Sequence, residues 1–327
     1  MDKDSSSHLL GIVIINFRTP EMTINCIDSL LPELQSLDCR VVVVDNNSAD
    51  DSCVLIAQWL EENDKSGIVQ LVESEINGGF SYGNNLGIKT VKAQNYLLLN
   101  SDTLVRGQAI DILLDTAEQY PESGLISPRM EWESGEPQES CFRFNNPISE
   151  FTKAAQTGFI DRYLRRFQVS LPAGDQVVSP PWTSFACVLI KAKLLKDVGL
   201  LDEGYFMYFE DTEFCHRARR AGWQITHNPS ARVVHLIGGS SNLGQRKQKK
   251  KRLPRYYYES RTRYFYQAYG RPGLTLANFC WIAGRLVSKL RQLAGHKGKS
   301  AFENQWRDIW SHFGNPLALY SHPQQVD

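Results

Sequence analysis

Over the first 130 residues, short β-branched and aliphatic runs alternate with stretches of helical spacing. "LLGIVIIN", "CRVVVVD", "GIVQLVE" and "YLLLN" are apolar on successive positions, the pattern of parallel strands buried on both faces. The segments beginning near Pro20, Asp50, Phe80 and Gly107 predict the intervening helices, so this part of the chain reads as a βαβ series. From Met130 to Pro181 the pattern weakens, with Gly, Pro, Asn and charge interspersed, and predicts loops and irregular elements over a cleft. Pattern then returns. "FACVLIKA" predicts a strand and "KAKLLKDVG" a short helix closed by Gly199. "EDTEFCHRARRAG" predicts a helix with acids in its first turn, bases in its last and Gly222 as its stop. "ARVVHLIGG" predicts one more strand, ending at His235, and mainly helical segments follow.

In a sheet of this kind ligands sit beyond the carboxyl ends of the strands, and those ends are polar here: Asn16, Asp45, and Asn100, Ser101 and Asp102. A single such residue is explained by a turn, whereas three strands finishing this way point to a site. Asp45 ends its strand where a carboxylate would accept the imide N–H of a uracil or thymine ring, while Ser48 to Asp51 after it read as a turn and helix cap. "NGGFSYGNNLG", from Asn77 to Gly87, matches neither the dinucleotide fingerprint nor the lysine-containing phosphate loop. Its Gly78 and Gly79 before a helix serve either a tight connection or the close approach of backbone amides to an anion.

A hard cation such as Mg²⁺ or Mn²⁺ takes one or two carboxylates plus phosphate oxygens and water, so Asp102 alone can anchor one, with His235 available beside it. Glu210 and Asp211 stabilise a helix start simply by being acidic. Their neighbours Tyr205, Phe206, Tyr208 and Phe209 would in addition desolvate a carboxylate, which raises its proton affinity and suits it to general-base work. Trp182 and Trp223 are candidates for a stacking wall against a sugar ring.

Composition narrows the class. The 327 residues are 42% hydrophobic and 22% charged, the balance of a soluble globular protein with room for a sizeable core. Seven cysteines without a C-x-x-C pair read as scattered thiols of a reducing, cytoplasmic compartment and argue against a structural zinc site. The N-terminal apolar run is short, follows acids and ends in Asn16, so it reads as a strand and not as an export signal, and no run is long enough to predict a membrane span. The net charge of zero hides an asymmetry. Residues 1–243 hold 20 Lys and Arg against 32 Asp and Glu, a balance of −12, whereas residues 244–327 hold 16 against 4, a balance of +12. The expectation is a catalytic domain over 1–243 and a basic helical extension over 244–327, concentrated in "QRKQKKKRLPR" and suited to anionic partners. Beyond it, Phe279, Ile282, Ala283, Leu286, Leu290 and Leu293 share one helical face, which would lie either on the domain or on an anionic membrane surface.

"VIINF", "VVVVDNNSADDS", "NGGFSYGNNLGI", "YLLLNSD", "WTSFACVLIKAKLLKDVGLLDEGYFMYFEDTEFCHRARRAGW" and "VVHLIGGSS", in this order between Leu10 and about Gly270, resemble the family 2 inverting glycosyltransferases and within it the rhamnosyltransferase-like branch. The resemblance implies a GT-A fold, a mostly parallel Rossmann-like α/β sheet flanked by helices. It implies that Asp102 is the metal acid of a D-x-D-like element, with His235 as a further contact to metal or diphosphate, and that Asp211 is the general base, with Glu210 as the other candidate. It places Asn16, Asp45, Asn77, Gly79, Asn84, Asn100, Ser101 and Trp182 around a nucleotide-diphosphate sugar, with Mg²⁺ or Mn²⁺ as cofactor. The expected reaction moves L-rhamnose from dTDP-rhamnose to a hydroxyl of a glycan or lipid-linked glycan in cell-surface polysaccharide synthesis, at the inner face of the cell membrane, with no nucleic acid as partner.

This sequence departs from the pattern at Asn100, where the first acid of D-x-D is missing, at Phe185, where relatives usually carry glycine, and at Ala192, where a second base is frequent. Phe185 is expected to narrow the acceptor side. The alternatives are a UDP-hexose donor or a non-catalytic sugar-nucleotide or glycan-binding protein. A nucleotidyltransferase is argued against by "NFRTPEM", which is not the Gly-rich basic loop such an enzyme carries after its first strand.

Overall fold

The computed structural model describes residues 7–64, 66–157, 162–236, 251–296 and 301–323. Ten strands are present among them: β1 (His8–Asn16), β2 (Cys39–Asp45), β3 (Val69–Glu73), β4 (Ala93–Asn100), β5 (Thr103–Val105), β6 (Ser123–Glu131), β7 (Cys141–Phe142), β8 (Trp182–Thr183), β9 (Cys187–Lys191) and β10 (Gln224–His235). The helices are α1 (Pro20–Leu30), α2 (Ser52–Asn63), α3 (Gly79–Thr90), α4 (Ala109–Gln119), α5 (Pro147–Ala155), α6 (Ala192–Val198), α7 (Glu210–Arg220), α8 (Arg255–Leu293) and α9 (Gln305–Asp308).

Eight strands form one sheet in the order β3-β2-β1-β4-β9-β6-β10-β5, and β7 pairs with β8 apart from it. The predicted parallel strands run side by side from β3 to β4. The strand predicted at "FACVLIKA" is β9, and it runs antiparallel between β4 and β6. The sheet is therefore mixed, a direction that no local pattern reveals. Side chains alternate across it. Leu10, Ile12 and Ile14 of β1 and Val41 and Val43 of β2 pack with Cys26, Ile27, Leu30, Ile56, Ile110 and Leu113 of α1, α2 and α4. Val13, Val42, Val44 and Leu98 pack on the other face with Ile88, Leu194, Phe214 and Cys215 of α3, α6 and α7. These are the two helical layers of a doubly covered sheet.

The weakly patterned stretch after Met130 is more ordered than its sequence predicts. β6 runs through Met130 to Glu131, and α5 is nucleated by Pro147 in its first turn and by a reciprocal cap between Asn146 and Ser149. The expected boundary between 243 and 244 and most of "QRKQKKKRLPR" lie outside the described residues. The C-terminal part does not stand apart. α8 packs along α5, where a Cβ on Gly284 would meet the Phe151 carbonyl oxygen at 2.4 Å, and it breaks at Gly270 (φ 67°, ψ −174°), a conformation reserved for glycine.

Candidate active site

Strand register brings the polar strand ends together. Asn16 stands opposite Asp45, Ile15 opposite Asn100, and His235 opposite Thr103, one residue after Asp102. Asn16, fully buried, donates through Nδ2 to Asp45 Oδ2 (2.7 Å) and accepts through Oδ1 from Thr23 Oγ1 (2.9 Å). Asp45 also accepts from the Ser48 amide (2.9 Å) and the Ser48 hydroxyl (2.6 Å). Three protein donors thus fix a carboxylate that offers about four lone-pair sites. The Asp45 to Ser48 turn and the Asp45 strand end are one structure, and Asn16 is its keystone.

Ser101 reaches Thr19 (Oγ to Oγ1, 3.3 Å), while the Asn100 amide donates to the Ala186 carbonyl (2.9 Å) and the Leu236 amide to the Asp102 carbonyl (2.9 Å). These bonds gather β4, the turn before β9 and the end of β10 around Asp102. Asp102 Oδ1 lies 3.5 Å from His235 Nε2, with both side chains mostly buried. Gln138 holds the His235 carbonyl at 2.8 Å. Two ligand atoms on one Mg²⁺, at about 2.1 Å each, stand at most about 4.2 Å apart, so this carboxylate–imidazole pair fits a shared hard cation. No group of three or more His, Cys, Asp or Glu side chains with metal-holding geometry occurs among the described residues. The fit is therefore to an ion that draws its remaining ligands from substrate and water.

The acid pair enters from the other side. The Phe185 amide hydrogen-bonds to Asp211, and Phe185 precedes Ala186, the partner of Asn100. Two consecutive residues, Phe185 and Ala186, thus join Asp211 to the carboxyl end of β4. Burial pushes the Asp211 carboxyl up to about 6, against hydrogen bonds from the Thr212 amide (2.6 Å) and hydroxyl (3.2 Å). Glu210 is 7% exposed, and its Oε2 has no hydrogen-bond partner among the described residues. Burial, followed by the charge of Asp211, drives its carboxyl well above the ordinary range. Tyr208 and Phe209, immediately before the pair, both hold left-handed backbone (φ 72° and 69°), a conformation that costs about 1 to 2 kcal/mol for a residue with a Cβ. A strained aromatic turn that presents two carboxyls is what a helix start built for capping alone would avoid.

The glycine-rich loop has a structural explanation. Gly79 (φ 79°) donates its amide to Asn77 Oδ1 (3.1 Å), and the next amide, of Phe80, goes to the Phe206 carbonyl (2.7 Å). A Cβ on Gly79 would fall 2.1 Å from the same Phe206 oxygen. Of the two readings the sequence leaves open at Gly79, a tight connection or an approach to a ligand, the contact seen is with the loop that leads to Asp211. Asn46 ties on by donating to Asn77 Oδ1 (3.0 Å) and the Gly79 carbonyl (3.1 Å). Asn84 is buried and bonded to the Phe80 carbonyl (3.0 Å), whereas Asn85 clasps Leu201 through both ends of its amide (2.9 and 3.1 Å).

Of the aromatic candidates, Trp182 is 8% exposed, stacked on Phe142 at 4.3 Å and hydrogen-bonded to the Arg143 carbonyl, so its ring face is already covered. Trp223 precedes β10 at the end of the sheet opposite Asp102 and donates to Asp197. The Phe185 ring, 2% exposed, packs edge-on to Phe214 in the core and does not narrow an acceptor channel. Sequence reasoning passed over Tyr320 and His322. Tyr320 Oη donates to the Gly78 carbonyl (3.1 Å), His322 Nε2 lies 2.9 Å from the Asn77 carbonyl, and both rings pack on Phe206. A recess of about 230 Å³ between α7 and α8, lined by Glu213, His216, Arg217 and Tyr264, opens on the face of α7 away from Asp211.

A mixed eight-stranded sheet with an acid and a histidine at its polar edge, tied through Phe185 and Ala186 to a buried Glu210 and a half-buried Asp211, has the architecture of a GT-A nucleotide-diphospho-sugar transferase. It aligns over 96% of its length, and 86% of the other chain, with a mannosyltransferase from Pyrobaculum calidifontis solved in complex with GDP-Man and Mn2+ (TM-score 0.53, 14% identity). Residues 8–254 match the model of the glycosyltransferase like family 2, and the chain belongs to that family. It is 28% identical over 231 residues to the low-salt glycan biosynthesis hexosyltransferase Agl10 of Haloferax volcanii, a match covering 69% of this chain and 66% of that one. It is 26% identical over 144 residues to the N-acetylglucosaminyl-diphospho-decaprenol L-rhamnosyltransferase of Mycobacterium tuberculosis, covering 42% and 46%. The chain thus spans less than two thirds of either relative, and the second agrees with a rhamnosyltransferase-like branch.

Proposed function

We propose that the protein is an inverting glycosyltransferase of glycan biosynthesis, and the observation that carries this reading is Asp211. It is a carboxyl raised to about 6 by burial, set in a strained aromatic turn and joined through Phe185 and Ala186 to the strand end that bears Asp102. Ionised at neutral pH yet a stronger base than an ordinary aspartate, it takes the proton of an acceptor hydroxyl. The acceptor oxygen then attacks the anomeric carbon from the face opposite the diphosphate. The new C–O bond forms as the bond from carbon to phosphate oxygen breaks, and configuration inverts. Burial and the neighbouring Asp211 raise the Glu210 carboxyl well above its ordinary range, which disfavours a second negative charge beside Asp211. Asp102 and His235 are the residues that would hold Mg²⁺ or Mn²⁺, which when bound neutralises charge on the leaving diphosphate. Asn16 and Ser48 fix Asp45 for the imide edge of the base, and Asn77, Gly79, Asn84, Asn100 and Ser101 shape the donor wall with Trp182 behind it.

The donor we favour is dTDP-rhamnose and the acceptor a hydroxyl of a glycan or lipid-linked glycan, met in the cytoplasm at the inner face of the cell membrane. Similarity to a rhamnosyltransferase that by its name acts on a polyprenyl diphosphate supports this. A hexose donor is the second reading, favoured by the higher identity to the Haloferax hexosyltransferase. A screen of dTDP- and UDP-sugars with Mn²⁺, read by mass spectrometry for release of the nucleotide and by NMR for the anomeric configuration of the product, tests both. Turnover of no donor would leave a binding protein and sink the enzymatic reading.

A further inference from the structure

The second half of α8 packs on the domain with the face opposite to the one its apolar pattern selects. Its buried positions are Leu274, Ala277, Asn278, Trp281, Gly284 and Ser288, small or polar apart from Leu274 and Trp281. The row on the other side is open. Leu276, Phe279, Leu286, Leu290 and Leu293 are 54%, 58%, 57%, 65% and 85% exposed. At helical rise the row runs about 25 Å along the surface. Trp310 packs edge-on to Phe279 at 6.1 Å, and Trp306, one turn earlier, is itself 68% exposed. A contiguous apolar strip of this kind on a folded domain marks a contact surface.

Charge says what covers it. From Ser260 to Phe302 the sequence contains no acid and eight Lys or Arg. Arg271 and Lys289 are exposed on one flank of the row. Leu253 lies in the same core cluster as Trp281, which sets the exposed Lys251 alongside the middle of the helix, whereas Arg252 next to it is paired with Asp308 at 2.8 Å. A second copy on a twofold axis would bring two such helices together, each basic and without an acid from Ser260 onward, like charge against like. An anionic surface meets both the apolar strip and its basic border. No helix among the described residues is long and apolar enough to cross a membrane, so the fit is to a helix that lies on one. The family match ends at residue 254, and the apolar row lies beyond it.

We propose that the row Leu276, Phe279, Leu286, Leu290 and Leu293, bordered by Lys251, Arg271 and Lys289, docks α8 lengthwise into the interface of an anionic lipid bilayer. This deepens the reading of a lipid-linked acceptor, yet it requires no turnover. The test is sedimentation of the full chain with phosphatidylcholine vesicles, with and without added phosphatidylglycerol. Binding is expected to rise with the anionic lipid and to fall with salt. Leu286→Glu with Leu290→Glu, both exposed and so expected to leave the melting temperature unchanged, should weaken binding at least about tenfold. Lys251→Glu with Lys289→Glu should weaken binding to the anionic vesicles alone, by about fivefold or more per site. Asp211→Asn should bind as the parent does, which separates failure of the surface from failure of the catalytic reading. Equal binding to both vesicle types, or undiminished binding by the Leu286→Glu, Leu290→Glu variant, would overturn the proposal. So would a concentration-dependent dimer lost in that variant without any vesicle binding, since a second copy would then cover the row.

Discussion

The molecule buries acids in two ways. Glu150 in α5 accepts from Arg261 Nε at 2.9 Å, and Arg261 in turn donates to Asn278 (2.7 Å), all three side chains being nearly inaccessible. Burial would raise the Glu150 carboxyl, but Arg261 and Lys153 hold it below its ordinary value. Glu210 and Asp211 have no such cation among the described residues and are driven up by burial. The first pair ties α5 to α8, and its members are neutralised by each other. The second keeps proton affinity in reserve, at a cost to stability that only a task outside the fold explains.

This contrast can be broken by substitution. Asp102→Ala should bring metal-dependent turnover to background, and excess chelator should do the same to the parent protein, while the melting temperature hardly moves. Full activity of that variant would remove Asp102 from the site. Asp211→Asn is expected to lower kcat by about 10²- to 10⁴-fold with little change in donor affinity by calorimetry, because it deletes only the proton acceptor. If donor binding collapses instead, Asp211 belongs to the donor pocket. The structural pair should behave in the opposite sense: Arg261→Met leaves Glu150 buried without its cation and should cost about 3 to 5 kcal/mol in urea unfolding, with turnover at low temperature largely kept.

The pH dependences sharpen the same comparison. Asp211 is raised from 3.8 to about 6 on folding, so the native state binds the extra proton between these values and stability falls as pH rises across that window, then levels. Asp211→Asn should therefore melt higher than the parent at neutral pH, by at most about 3 kcal/mol, with the difference vanishing below pH 3.8. Glu150 has a depressed value, so its contribution is present above 4.5 and lost as pH falls through the lower folded value. Thermal melts of Asp211→Asn and Glu150→Gln against pH should diverge from the parent in opposite directions. In the parent, kcat/KM should rise through about pH 6 as Asp211 ionises.

The strands and helices around the sheet were legible because each buries its own repeating apolar set, a property of contiguous residues. The polar strand ends were legible for the same reason, since Asn16, Asp45 and Asp102 interrupt runs that should have stayed apolar. The direction of β9 and the partner of Gly79 depend on residues far apart in the chain, and Phe206 lies 127 positions from Gly79. For α8 the local rule misled. Its most apolar face is exposed because Gly284, Ala277 and Ser288 allow a closer approach to α5 and Asn278 completes a buried polar network. Tyr320 and His322 carry no motif, and only their arrival at the Asn77 and Gly78 carbonyls marks them.

The shared contact between Gly79, Phe80 and Phe206 bears on the order in which substrates bind. The peptide that anchors the start of α3 is three residues upstream of the strained turn at Phe209, so in the proposed function the donor wall and the base meet at one backbone contact. A donor that presses on Asn77 to Gly79 does so against Phe206 and, through it, against Glu210 and Asp211. By thermodynamic reciprocity, whatever factor the donor adds to acceptor affinity, the acceptor adds to donor affinity. Gly79→Ala, which drives a methyl into the Phe206 carbonyl, should weaken any such coupling, visible as loss of the donor's effect on acceptor titrations.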